Sequence, residues 1–251
     1  MYATPSDTIF QKHHQIPVKK HSLVQHLADG IQTIWKTELY LSPFSVPEEL
    51  GYIEGQIDGS VLNISNRCYS TKRFRKLHLE LAKIGDTLEI LHCVMFPRSQ
   101  YALPIFGADI VAGPRGVSAA IVDLSPVTAD GYLSHDYALA LSSLTPVQFS
   151  ECRQLPEWGD IFSRFCLFIR PTDEDEELAF LRLVCNYLAL HCKLSNQADP
   201  VTSEEQAEIV AGHRNYCQKQ KQNDKTRRIL EKSFGTEWTI RYMEEMLFDI
   251  S

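Results

Sequence analysis

The 251 residues are 44% hydrophobic, 23% charged and 10% aromatic, with only 12 glycines and 12 prolines. That balance belongs to a folded globular protein and excludes collagen-like, low-complexity and mainly disordered chains. No run of about 18 apolar residues is present, so no membrane-spanning helix is expected, and a formal charge of −7 argues against nucleic acid as a partner.

Residues 1–20 read as a flexible arm: they are polar, carry His13, His14, Lys19 and Lys20, and lack the apolar centre of a secretory signal. From Ser22 to about Lys36, Leu23, Leu27, Ile31 and Trp35 recur every four residues, which predicts an amphipathic helix with Ser22 as its N-cap. Pro43 and Pro47 break the chain. A strand-rich stretch follows from about Gly51 to Pro126, punctuated by turns at Gly55 and Asp58-Gly59. Three runs alternate with period two: Arg75–Ala82, Leu88–Phe96 and Ile105–Ala112. Two further runs, Ser118–Leu124 and Arg164–Arg170, complete the strand candidates. Their short connections favour antiparallel neighbours.

The last third reads as helical. Thr172 is placed as the cap of a helix with Asp173, Glu174, Asp175 and Glu176 in its first turn and His191 and Lys193 in its last, the polarity a helix dipole prefers. Leu178, Leu181, Val184, Cys185 and Leu188 form its expected buried face. Ser203 starts a second helix with Gln206 closing a capping box, and a final helix is expected from about Thr236 to Phe248. No internal repeat or long linker divides the chain, so residues 21–251 are read as one domain: an α/β fold, a three-layer α/β/α sandwich with a central antiparallel sheet flanked by helices.

The seven cysteines, Cys68, Cys93, Cys152, Cys166, Cys185, Cys192 and Cys217, include no pair at C-x-x-C spacing, so neither a zinc ribbon nor a cysteine-held cluster is indicated. Several lie in apolar segments as small hydrophobes, the usage of a reducing cytoplasm.

Candidate chemistry sits on the alternating strands. Lys76, His78 and Glu80 share one face of their run and the leucines the other, with His78 and Glu80 about 7 Å apart by strand rise. His92 and Asp109 each lie among apolar neighbours on their own strands. A buried imidazole or carboxyl needs a partner. If the two strands are adjacent, His92 and Asp109 can share a proton, and a desolvated acid there is held ready to donate near neutral pH. The plainer readings are a hydrogen-bonded core histidine and, for His78 and Glu80, an ordinary solvated strand face. As metal ligands they lack a second cluster to complete the coordination.

Between Arg214 and Lys232, seven basic residues face two acidic ones, a local charge of +5. The segment reads either as a solvated helix face or as a docking patch for an acidic protein or a clamp for ligand carboxylates. Gly113-Pro-Arg-Gly116 is no phosphate loop, and no flavin, nicotinamide or nucleotide fingerprint appears. No Ser/His/Asp or Cys/His nucleophile signature stands out.

Longer strings add a resemblance. They are Asn66-Arg-Cys-Tyr69, Phe74-Arg-Lys-Leu-His-Leu-Glu-Leu-Ala-Lys83, Ile90-Leu-His-Cys-Val-Met-Phe-Pro97, Gly107-Ala-Asp-Ile-Val-Ala-Gly-Pro114, Val117-Ser-Ala-Ala120, Trp158-Gly159, Phe168-Ile-Arg-Pro171 and Asn223-Asp-Lys-Thr-Arg-Arg228. In that order, from about Pro47 to the C-terminus, the sequence resembles the ferredoxin-dependent bilin reductases of cyanobacteria. Ala108 stands where a relative has cysteine, a change of one small residue for another beside the aspartate.

The resemblance implies a central antiparallel sheet with helices on both faces and biliverdin IXα between the sheet and the C-terminal helices. It implies four electrons delivered singly by a reduced 2Fe–2S ferredoxin, bilin radical intermediates, and no enzyme-bound metal or flavin. The D-ring vinyl is then reduced before the A ring, giving phycocyanobilin. By the same resemblance Asp109 is the central proton donor, His92 its proton-sharing partner, Glu80 the acid for the vinyl, and His78 part of Glu80's network. Ser118, Arg153, Asn223 and Lys225 become substrate-pocket residues, and Lys221, Arg227 and Arg228 a ferredoxin-docking surface. The implied partners are biliverdin and an acidic ferredoxin, with no nucleic acid, no membrane and no obligate dimer. The readings left beside it are a reductase making another phytobilin, such as phycoerythrobilin, a bilin carrier without turnover, and an interaction domain using the basic helix.

Overall fold

The four-residue stripe of the first helix is wholly interior: Leu23, Leu27, Ile31 and Trp35 are buried on α1 (Ser22–Glu38). The computed structural model describes residues 22–250 apart from 129, so the arm at 1–20 and the capping role expected of Ser22 lie outside what is described. Burial of each such side chain stabilises the fold by about 1.5–3 kcal/mol. Trp35 also donates its Nε1 hydrogen to the Met95 sulfur at 3.3 Å, tying helix to sheet.

After β1 (Ser42–Pro43) and a helical turn, α2 (Glu48–Gly51), the chain enters a meander of hairpins: β2 (Tyr52–Ile57), β3 (Ser60–Ser70), β4 (Phe74–Ile84), β5 (Leu88–Pro97), β6 (Ile105–Gly113) and β7 (Gly116–Ser125). A short β8 (Leu167–Ile169) completes it. Among the described residues the sheet has eight strands in the order β1-β3-β4-β5-β6-β7-β8, with β2 beside the first half of β3. Every pairing is antiparallel, as the short connections require. The β2–β3 hairpin turns on two residues, Asp58 and Gly59, with φ of 53° and 79°. These positive values match strand twist and explain an aspartate–glycine pair there.

Period two sends alternate residues to opposite layers. On one face Leu77, Leu79, Leu91, Cys93, Met95, Phe106, Ala108 and Ile110 meet α1 and α4 (Glu174–Gln197). On the other, Leu62, Ile64, Val94, Phe96 and Ile105 meet α5 (Ser203–Gln220), α6 (Asp224–Phe234), α7 (Thr236–Tyr242) and the π-helical turn Met243–Leu247. This is the expected α/β/α sandwich. α5 lies so close to the segment after β7 that a Cβ at Gly212 would stand 1.9 Å from the Val127 carbonyl oxygen, so only glycine fits.

Several local expectations shift. Asp173, not Thr172, caps α4: its extended backbone lets the carboxylate accept the Glu176 N–H at 2.8 Å, while Thr172 donates to the Glu176 carboxylate. α4 continues to Gln197, so His191 is buried mid-helix, bonded to the Tyr137 hydroxyl of α3 (His135–Ser142). Leu178 is exposed and Phe180 fills the core instead. Thr202 and Glu205, not Ser203 and Gln206, form the capping box of α5; Gln206 reaches Ser99. The run at Arg164–Arg170 keeps only Leu167–Ile169 as strand. Its start is held away by the buried Asp123 carboxylate, which takes both the N–H and hydroxyl of Ser163. Arg75 leaves the leucine face because a bulge between Phe74 and Lys76 turns it toward Asp249, with which it pairs. α3, α6, β2 and β3 had no individual signal in the sequence reading.

Candidate active site

Register decides the site. Asn66 faces Glu80, Glu80 faces His92, His92 faces Asp109, Asp109 faces Ile121, and Ile121 faces Phe168. One row of side chains therefore crosses six adjacent strands on the face covered by the C-terminal helices, each about 5 Å from the next. His78 sits two residues before Glu80 on the same face. Ala108 points into the opposite core, away from the row.

Three aromatic groups roof the row to different degrees. Tyr242 lies over Glu80, and Phe248 packs edge-on against His92 at 5.9 Å between centroids. The Tyr216 hydroxyl stands above Gly107, 3.3 Å from where a Cβ would be. Toward β7 the roof ends, and the Asp109 side chain is 41% exposed. The buried acid is thus Glu80, and Asp109 is the one at the open end. This revises the expectation of a desolvated acid at Asp109. It also removes the reading of His78 and Glu80 as a solvated strand face, since both are buried.

The charges follow from the packing. Burial pushes the Glu80 carboxyl above its ordinary value, against the smaller pull of the nearby His92 and of the Tyr242 hydroxyl, which donates at 2.5 Å. For His92, burial pulls the imidazole down. The Asp109 charge, the 2.5 Å bond from His92 Nδ1 to Asp109 Oδ1 and the Glu80 charge outweigh it, and the net direction is up. His78 is held well below its ordinary value by burial first, then by Lys76 and His92.

Hydrogen bonding assigns its tautomer. The Asn66 amide donates to the Leu50 carbonyl at 2.7 Å, so Asn66 Oδ1 faces His78. An oxygen can only accept, so His78 Nε2 carries the hydrogen of their 2.7 Å bond. His78 Nδ1 and His92 Nε2 remain buried without a hydrogen-bond partner among the described residues. Unmatched buried polar groups are costly, and two of them stand side by side at this row. The four proposed chemical residues are therefore one cluster.

The expected pocket residues are more scattered. Arg153 is nearest in kind: its N–H bonds the Phe168 carbonyl and its guanidinium lies 5.7 Å from the Phe168 ring, at the end of the row. Ser118 is exposed at the β7 bulge and donates to the Val111 carbonyl. Asn223 caps α6 by accepting the Lys225 N–H, and Lys225 is exposed in the first turn. Of the docking residues, Lys221 pairs with Glu244 at 3.5 Å, Arg227 donates to the Lys221 carbonyl, and Arg228 is open to solvent beside Asp224. Lys219 and Lys232 pair with Asp160 and Asp58, so acids from outside the basic segment meet three of its charges. A cavity of about 150 Å³ lies elsewhere, against Arg75, His213, Cys217 and Asp249.

Asn66 and Tyr242 were not singled out from the sequence, and Lys76 was placed on the face of His78 and Glu80 without a role. Asn66 had a signal: it continues the inward positions Leu62 and Ile64 of β3, where a polar residue is out of pattern. Lys76 is fully buried, with Nζ on the Met246 carbonyl at 2.6 Å and Asp249 at 2.5 Å, and so holds the C-terminal segment over the sheet.

A sheet whose one face carries this shielded row, closed by the C-terminal helices, is the frame of a known reductase class. The chain belongs to the ferredoxin-dependent bilin reductase family, whose model matches residues 28–249. The match begins inside α1, earlier than the Pro47 boundary that the strings suggested. The chain is accordingly an oxidoreductase. It is 50% identical over 232 residues, 92% of this chain and 95% of the relative, to phycocyanobilin:ferredoxin oxidoreductase of Trichodesmium erythraeum. It is 51% identical over 232 residues, 92% of this chain and 94% of the relative, to the enzyme of the same name from Synechococcus elongatus. In fold it resembles phytochromobilin synthase from tomato, solved in complex with biliverdin, with a TM-score of 0.70 at 16% identity, covering 89% of this chain and 82% of that one. Among the described residues no helix is long and apolar enough to cross a membrane.

Proposed function

We propose that the protein reduces biliverdin IXα to phycocyanobilin with four electrons taken singly from reduced 2Fe–2S ferredoxin. Ferredoxin brings electrons without protons, so each electron pair must be matched by two protons from acids at the site. Glu80 supplies the D-ring vinyl, which becomes ethyl. Asp109, sharing its proton with His92, serves the bilin at the open end of the row, and A-ring reduction follows through the same pair. The first electron of each pair leaves a bilin radical, which the second electron and a proton convert to a closed-shell bilin. Arg153 and Lys225 are suited to the propionates, with Ser118 and Asn223 beside them. The exposed cations Lys225 and Arg228, with Lys221 and Arg227, suit an acidic ferredoxin.

The reading is carried by the row Glu80–His92–Asp109, in which a roofed carboxyl is biased toward its neutral, donating form beside an imidazole biased toward its charged form. Its test is anaerobic turnover of biliverdin with reduced ferredoxin, with the pigment identified by chromatography and absorption. Phycocyanobilin is expected. Pigment left at the oxidation level of biliverdin indicates a carrier, and phycoerythrobilin a different phytobilin reductase; either overturns the proposal.

A further inference from the structure

Tyr242 has one hydroxyl hydrogen and two acceptors. Its oxygen is 2.5 Å from Glu80 Oε2 and 3.1 Å from Asn66 Oδ1. The Asn66 oxygen has two lone pairs, one used by His78, and its orientation is fixed by the bond to the Leu50 carbonyl. The phenol ring is itself immobilised, stacked on Trp238 with centroids 4.9 Å apart and planes at 12°, and fully buried.

We infer that Tyr242 is a positioning residue for Glu80, whose hydroxyl reverses direction as Glu80 gives up and regains its proton. With Glu80 ionised, the hydroxyl hydrogen points to Oε2 and stabilises the carboxylate. With Glu80 protonated on Oε2, the acid donates to the phenol oxygen and the hydroxyl hydrogen turns to Asn66. Glu80 Oε2 and the Tyr242 hydroxyl are paired in both states, which removes the penalty for leaving either unpaired at the moment of proton transfer. No bond between heavy atoms changes; one O–H rotates.

The chain ends at Asn66, whose oxygen accepts and passes nothing on. Glu80 is therefore not reloaded through Tyr242. This inference rests on Glu80 being a proton donor in turnover, but its main test does not.

Infrared difference spectra of the ligand-free protein across a pH titration follow the protonated carboxyl stretch of Glu80, assigned by its loss in Glu80→Gln. Tyr242→Phe keeps the ring on Trp238 and removes the hydroxyl. The titration midpoint is expected to move up, because the carboxylate loses its donor, and vinyl reduction to slow roughly tenfold, the weight of one hydrogen bond to a charged group, with biliverdin binding intact. Replacing Tyr242 by a ring-fluorinated tyrosine, a stronger donor of nearly the same shape, is expected to move the midpoint down. An unmoved midpoint in both variants overturns the inference. If instead both midpoints move while Glu80→Gln still reduces the vinyl normally, the positioning role stands and the proposed donor role of Glu80 fails.

Discussion

Glu80→Gln isolates the acid from its packing. The side chains are isosteric, and the glutamine carbonyl oxygen can accept the Tyr242 hydroxyl as Oε2 does. What is lost is a transferable proton at a shielded position opposite His92. General acid catalysis by a positioned group contributes about 10²- to 10⁴-fold, so vinyl reduction should fall by that factor while biliverdin binding changes little. The A-ring step, assigned to Asp109 and His92, continues and gives a product reduced in the A ring alone. The assay is anaerobic turnover with pigments separated by chromatography; phycocyanobilin at the parent rate would refute the reasoning. The same variant makes a stability prediction with a definite sign. Burial raises the Glu80 value in the folded state above 4.5, so the folded protein holds this proton more tightly than the unfolded chain. Stability from this group is therefore greatest in acid and declines as pH rises from 4.5 through the folded value. Glutamine has no such decline. Glu80→Gln should melt above the parent near neutral pH, by about 2–4 °C for each kcal/mol gained, with the gap closing toward pH 4.

Asp109→Asn should stall protonation at the open end of the row and accumulate bilin radical, seen by electron paramagnetic resonance during stepwise reduction; a radical yield equal to the parent's counts against the donor role. It also removes what lifts His92, a contribution present below pH 6.5 and lost as pH rises through the higher folded value, so the variant should lose stability mainly on the acid side of that window. Neutralising Lys225, Arg227 and Arg228 together should raise the apparent KM for ferredoxin roughly tenfold at low salt and less at high salt, as screened charges require; an unchanged, salt-independent KM removes the docking patch. Gly212→Ala sets a methyl 1.9 Å from the Val127 carbonyl oxygen, so α5 must move outward by over an ångström. A cost of about 1–3 kcal/mol is expected, with weaker biliverdin binding because α5 carries Tyr216 over Gly107. Thermal melts followed by circular dichroism test it, and an unchanged melting temperature contradicts the packing argument.

Much of the frame is written locally. A period-four stripe marks α1, period-two runs mark β4 to β6, and Asp58-Gly59 marks a turn, because helix pitch, pleat and positive φ act on neighbouring residues. The residue types of the row were legible too: His92 and Asp109 are ionisable groups on otherwise apolar strand faces, and Glu80 shares its face with Lys76 and His78. Caps slid by a residue because threonine stands next to aspartate at the start of α4 and next to serine at the start of α5, and backbone geometry chooses between the neighbours.

Which acid lies in the dark was not legible. Alternation assigns Glu80 and Asp109 to a face but says nothing of what covers that face. Glu80 is shielded by Tyr242, 162 residues further along the chain, and Asp109 is open because the roof stops short of β7. Chain sequence alone determined the central strands β4 to β7 and the kinds of group they carry. Strand register and the docking of the C-terminal helices decided which groups meet and which are dry, since desolvation depends on contacts between distant segments that no local pattern encodes.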